Sequence, residues 1–291
     1  MLRTQKCLLL IAALLLAPLS FAAPAAYTQG LLWKIERAGQ APSYVFGTIH
    51  SEDSRVTTLP QPVQTVFNAT SQYVMEVVLD ANAVQSMVGA MTFNDGRTLQ
   101  QAVGAATYQK SVAAMAGYGM PGQALQIMKP WALAVTLSMP KPKTGMALDL
   151  VLMQQATEQG KQTAGLESIE EQIGVFDQLT QREQAIMLED TLKHLPEMEK
   201  IFAELHNVYL ARDLARLMRI SDEMLVKGNR ELGKKVMYQL VDVRNRRMVE
   251  RMEAHLKQGN AFIAIGALHL PGEVGVLNLL VRKGYRVSAV Y

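Results

Sequence analysis

Two of the five histidines in this 291-residue chain share one spacing. Gly47-Thr48-Ile49-His50 closes the apolar run SYVFGTIH, and Gly266-Ala267-Leu268-His269 closes AFIAIGALH. With 20 glycines and 5 histidines, chance supplies about 0.3 Gly-x-x-His pairs, so two, each behind an apolar run, point to a shared role. If the fold joins the two strand ends, two imidazoles face one point, the start of a metal or acid–base site. Glu76 is the acidic partner such a pair needs. It lies in YVMEVVL, a strand otherwise built for burial, where an unpaired carboxylate is costly. A cation, a metal or a histidine would account for it. Alternation that turns Glu76 to solvent is the competing reading, and Val74 and Val78 on the same face weaken it.

Other candidates carry both structural and chemical readings. Glu167 stands in GLESIEEQ at a strand-to-helix junction; the capping-box spacing of Ser168 and Glu171 explains those two residues and not Glu167. Asp149, in GMALDL, precedes a helical stretch and could cap it or pair. Arg244-Asn245 lies within a long helix, where charged residues usually face solvent. His194, His206 and His255 lack the Gly-x-x spacing and read as surface residues. The 17 methionines are scattered, which suits core filling better than copper ligation.

The elements that must position these groups are strand-rich ends and a helical middle. LLWKIER and SYVFGTI, joined by AGQAP, read as a hairpin. SQYVMEVVLD (Ser71 to Asp80) is a third strand and QTAGLES a weaker fourth. AFIAIGAL and YRVSAVY are two more, separated by a helix within Gly272 to Lys283, with Gly284 behind it; this ending predicts a parallel pair with a right-handed crossover. Between about residues 80 and 258 the pattern is helical, and VMYQLVDVRNRRMVERMEAHLKQG reads as one long helix. The expected fold is α/β (α+β), a central mixed sheet built from both chain ends with a large helical insertion, in a single domain over 23–291.

Residues 1–22 have the layout of a secretory signal peptide. Arg3 and Lys6 precede the apolar run CLLLIAALLLAPL, and small residues suit cleavage near Ala22. The run is too short for a good membrane span. The only cysteine, Cys7, lies in this segment, so the remaining chain has neither disulfide nor thiolate chemistry. Without Arg3 and Lys6 the 29 basic residues fall to 27, against 26 acidic, a balance that does not suit nucleic-acid binding. A periplasmic or secreted protein, free of the membrane after cleavage, is expected. The chain has no H-E-x-x-H helix, G-x-S-x-G elbow, phosphate loop or dinucleotide fingerprint.

YVFGTIHSEDSRVTTLP, the YVMEVV strand, GLESIEEQIGVFDQL, the RNRRM helix and IAIGALHLPGEVGVLNLLVRKGYRV together resemble the TraB/GumN family, from about Leu31 to Tyr291. That family includes the Tiki proteins, secreted or membrane-tethered metalloproteases that act on Wnt ligands, and is distant kin of erythromycin-esterase-like and ChaN-like proteins. The resemblance implies a hydrolytic site with a divalent metal ion (Mn, Co or Zn) held by His50, His269 and Glu76. It places Arg244 and Asn245, Glu167 and Gln172, and Pro271, Gly272 and Glu273 on family motifs. Glu76 is then a ligand or the general base, Glu167 a supporting ligand or orienter, Arg244 a stabiliser of the developing oxyanion, and Asn245 an orienter of substrate. The expected function is a metal-dependent, peptidase-like hydrolase of a peptide or small-molecule substrate. The alternatives are a non-catalytic ligand-binding or regulatory protein with the same pocket, and an esterase-like hydrolase of a small molecule.

Overall fold

A computed structural model describes residues 27–291; the expected signal segment lies outside the described residues. The fold is mixed α/β, as expected. Six strands, β1 Leu32–Glu36, β2 Ser43–Thr48, β3 Gln72–Met75, β4 Gln162–Gly165, β5 Ala261–Gly266 and β6 Arg286–Ala289, form one sheet in the order β4-β3-β5-β2-β1-β6. β1 and β2 are the expected hairpin, with Trp33 opposite Val45. β2, β5, β3 and β4 run parallel. The apolar run AFIAI of β5 is buried on both faces, the behaviour of a strand inside a parallel sheet covered by helices.

Three expectations need correction. β5 and β6 run in the same direction but are not partners: β2 and β3 occupy both edges of β5, and β6 joins β1 antiparallel. Its largely exposed residues suit a sheet edge. The third strand is shorter than Ser71 to Asp80. It ends at Met75, so Glu76 stands at the carboxyl end of β3 rather than inside it; by Asp80 the chain is already capping the helix Ala81–Met91 through a side-chain bond to the Ala83 N–H. The long helix is interrupted by a π-helical segment, Tyr238–Val243, between helices Arg230–Met237 and Arg244–Gln258.

The core beneath the sheet is sealed by aromatic contacts, among them Phe67 edge-on to Phe262 at 5.1 Å between ring centroids. A second apolar cluster lies within the helical middle, around Leu99, Leu125, Leu133 and Leu188. There Trp131 stacks on Phe176 at 5.6 Å. Among the described residues no helix is long and apolar enough to cross a membrane.

Candidate functional site

The parallel pairing of β2 with β5 sets Thr48 opposite Gly266 and Gly47 opposite Ile265. Both Gly-x-x-His motifs therefore leave the carboxyl edge of the sheet side by side, where open α/β sheets bind ligands. Gly47 permits that approach: a Cβ there would lie 2.7 Å from Leu270 Cδ1 and 3.1 Å from Ala267 Cα. The Tyr209 hydroxyl donates to the Gly47 carbonyl at 2.9 Å and fixes the same point from the helix Met198–Leu210. The motifs are staggered by one residue, and in strands one residue reverses the face. Beyond the strands the two histidines part. His269 is buried at the end of a 3-10 turn, Ala267–His269. The His50 side chain is 58% exposed, with Nδ1 3.6 Å from Asp149 Oδ2, in the first turn of the helix Leu148–Glu158. That close approach of Asp149, with the charge of Glu52, raises the His50 pKa against the opposing effect of burial.

Around His269 the hydrogen bonds fix the ring and leave one nitrogen open. Asn245 Nδ2 donates to the Val274 carbonyl at 2.8 Å, which turns Oδ1 toward His269 Nδ1, 2.7 Å away. An amide oxygen only accepts, so Nδ1 carries the proton and Nε2 keeps a lone pair. Nε2 faces Glu76 Oε1 at 3.7 Å. Burial pushes the His269 pKa down to about 4, Arg244 adding to the depression and Glu76 opposing it, so the ring is neutral at pH 7. Glu76 Oε1 accepts the Gly266 N–H at 2.7 Å; Oε2 accepts Gln172 Nε2 at 2.9 Å and Arg244 at 2.6 Å. Burial alone would raise the Glu76 carboxyl, but attraction to His269 and Arg244 and the Gly266 N–H outweigh it, and its pKa is lowered. Two acceptor atoms thus face one another, an arrangement that attracts a cation or the protons of a water.

Behind this pair stands a ladder of alternating charge. Arg244 bridges Glu76 and Glu167, the latter at 2.7 and 2.8 Å; Arg247 reaches the other Glu167 oxygen at 3.1 Å. Arg251 closes the ladder on Glu171 at 2.6 Å. The Glu167 side chain is wholly buried, and burial raises its carboxyl despite Arg244 and Arg247. The expected capping box of Ser168 and Glu171 is formed, so Glu171 serves both the helix start and the ladder. Sequence reasoning missed the roles of Arg247, Arg251 and Tyr209. The signal for the arginines was their spacing: 244, 247 and 251 share one helical face, opposite Glu167 and Glu171 four residues apart.

A cavity of about 310 Å³ opens beside His269, lined by Thr48, Ile49, Tyr209, Ile220 and Gly266 among others. Among the described residues no three His, Cys, Asp or Glu side chains gather as a metal-holding group. His269 Nε2 and Glu76 Oε1 offer two donors, and their 3.7 Å separation is one that ligands about 2.0–2.2 Å from a single ion can span. This donor set fits an ion that retains several waters, as magnesium- and manganese-type ions do. A tetrahedral centre with three protein ligands would need a further arm, and His50 is engaged with Asp149.

Comparison with known proteins places this geometry in context. The chain is 24% identical over 311 residues to Metalloprotease TIKI2 of Danio rerio, covering 88% of this chain and 60% of the relative. It is 25% identical over 310 residues to Metalloprotease TIKI1 of Homo sapiens, with 88% and 61% covered. The chain thus spans about 60% of the length of these curated relatives. No solved structure matches. The family model of TraB/PrgY/gumN matches residues 31–289, a span that holds both Gly-x-x-His motifs, Glu76 and the whole charge ladder, and the chain belongs to that family.

Proposed function

We propose that this chain is a metal-dependent hydrolase, peptidase-like in its substrate, that acts after export directed by residues 1–22. The observation that supports it most is the facing of His269 Nε2 and Glu76 Oε1 at 3.7 Å beside a cavity. The divalent ion implied by the relatives' names would be held by these two atoms, with solvent and substrate at its other positions. What such an ion supplies when bound is polarisation of a carbonyl and a more acidic water. An imidazole with a pKa of about 4 is by itself a poor base near neutrality, so the site calls for that contribution.

The chain's own groups then take distinct roles. Glu76, kept ionised by Arg244 and the Gly266 N–H, orients the attacking water, takes its proton and passes that proton to the leaving amine. Asn245 holds His269 in the tautomer that leaves Nε2 available. Arg244 is a positioning residue: its Nε, NH1 and NH2 are occupied by Glu167, Leu240 and Glu76, which leaves little of the guanidinium to meet an oxyanion. Glu167 fixes Arg244. His50, its pKa raised by Asp149, lies outside the wall of the cavity beside His269 and takes no proton-transfer role here.

The test is cleavage of a mixed peptide library by the purified chain, after chelation and after addition of Mn²⁺, Co²⁺ or Zn²⁺. Glu76→Gln and His269→Ala should each reduce turnover at least about 100-fold. Absence of turnover with all three ions would end the hydrolase reading. Turnover that survives both substitutions would end the site assignment, and cleavage of esters alone would redirect the substrate class.

A further inference from the structure

A second cavity, of about 290 Å³, lies in the helical middle between the helices Gln181–His194, Leu214–Lys227 and Arg230–Met237. Its wall includes Met187, Met198, Met224, Met237, Leu232 and Val236. The polar groups along it are already engaged. Asp190 accepts the Asn229 N–H at 2.6 Å, Thr191 donates to the Met187 carbonyl at 2.9 Å, and His194 contacts Glu197 and the Lys227 carbonyl. A ligand entering here meets apolar surface and finds few polar partners. The methionines are flexible, polarizable and able to contact both aliphatic and aromatic groups.

The cavity borders the candidate site. Ser221 and Met224, on helix Leu214–Lys227, line both this cavity and the one beside His269. Whatever fills the methionine-lined space therefore touches the same two side chains as a group in the cavity beside His269. Its size stands at the lower end of small-molecule pockets, about 300–1,000 Å³, which suits one large side chain rather than an extended ligand. The geometry points to a specificity pocket for a peptide substrate, taking a large apolar side chain (Met, Leu, Phe or Trp) close to the scissile bond. This inference rests on the hydrolase reading for the word substrate; the binding preference does not depend on turnover.

Binding is measured without catalysis, by the fluorescence of the apolar probe N-phenyl-1-naphthylamine with the purified chain. Acetylated pentapeptide amides with Phe or Met at the central position should displace the probe at concentrations at least tenfold lower than the same peptide with Gly. Met187→Trp and Val236→Phe fill the cavity away from His269 and should raise the probe's Kd at least tenfold. Met187→Ala, which enlarges the space, should shift the preference from Phe toward Trp and keeps the test decisive if a filling variant fails to fold. His269→Ala should leave probe binding unchanged. Selective displacement without any turnover would overturn the hydrolase reading and leave the pocket standing. Turnover indifferent to the central residue, or binding unmoved by all three cavity variants, would overturn the pocket alone. Displacement by decanoate at lower concentration than by the Phe peptide would overturn the peptide assignment in favour of an acyl chain.

Discussion

His50 and His269 carry the same motif and opposite electrostatics. His269 is driven toward its neutral form by burial, and His50 toward its charged form by Asp149. For His269 the folded pKa of about 4 lies below the ordinary 6.5, so on acidification the unfolded chain takes up the proton first. Its contribution to stability is complete above about pH 6.5 and falls as pH drops toward 4, by roughly 3 kcal/mol in all. Glu76, whose pKa is lowered from 4.5, loses its contribution further down. Urea midpoints measured from pH 7 to pH 4.5 should therefore decline in the native chain and decline clearly less in His269→Gln. Asn245→Asp replaces the neutral acceptor on Nδ1 with an anion and should raise the His269 pKa by at least about one unit, read by NMR titration of the ring. The motif announced a pair of histidines, and the pairing of β2 with β5 explains how they come to lie side by side. Their different surroundings were not legible, because the one-residue stagger is set by the core packing of strands 218 residues apart. Glu76 was legible for a simpler reason: a carboxylate in an apolar run must find a partner.

At the scale of elements, the charge ladder and the π-helical segment act together. Sequence periodicity reads residues 236–259 as one helix, and the usual behaviour of charged residues in a helix turns Arg244 to solvent, yet Arg244 is only 6% exposed. The π segment Tyr238–Val243 winds more residues into a turn than an α-helix does, so the phase counted from Met237 no longer applies at Arg244. No local pattern signals such a shift; tertiary bonds from Glu76 and Glu167 hold it. Deleting Asp242 should restore α-helical phase, turning helix Arg230–Met237 by about 100° relative to Arg244. Far-UV circular dichroism should keep its helical amplitude while hydrolysis falls sharply. Glu167→Leu leaves Arg244 and Arg247 without their shared buried counter-charge and should cost about 3–5 kcal/mol in denaturant unfolding. Gly47→Ala tests the approach of the two motifs. The added methyl group meets Leu270 and the Ala267 backbone, and a loss of about 1–3 kcal/mol is expected from the same measurement.

For the whole molecule, the sheet order was only partly legible. The hairpin β1–β2 is local and stood out. The insertion of β5 between β3 and β2, and the placing of β6 beside β1, depend on competition among strand edges that no single segment reveals. The outcome is a fold of high contact order. Its refolding should be slow for its size, and hydrolysis should return with the sheet signal rather than with the faster helical signal, in a stopped-flow experiment read by both. The central position of β5 has a further consequence during synthesis. A ribosome makes the Glu76 half of the site 193 residues before the His269 half, so nascent chains hold half a site throughout that interval. A product ending near residue 258 lacks β5, the strand that joins β2 to β3. The order of the strands is in effect a safety catch: Glu76 and His269 can face one another only after β5 has been made and inserted between β3 and β2.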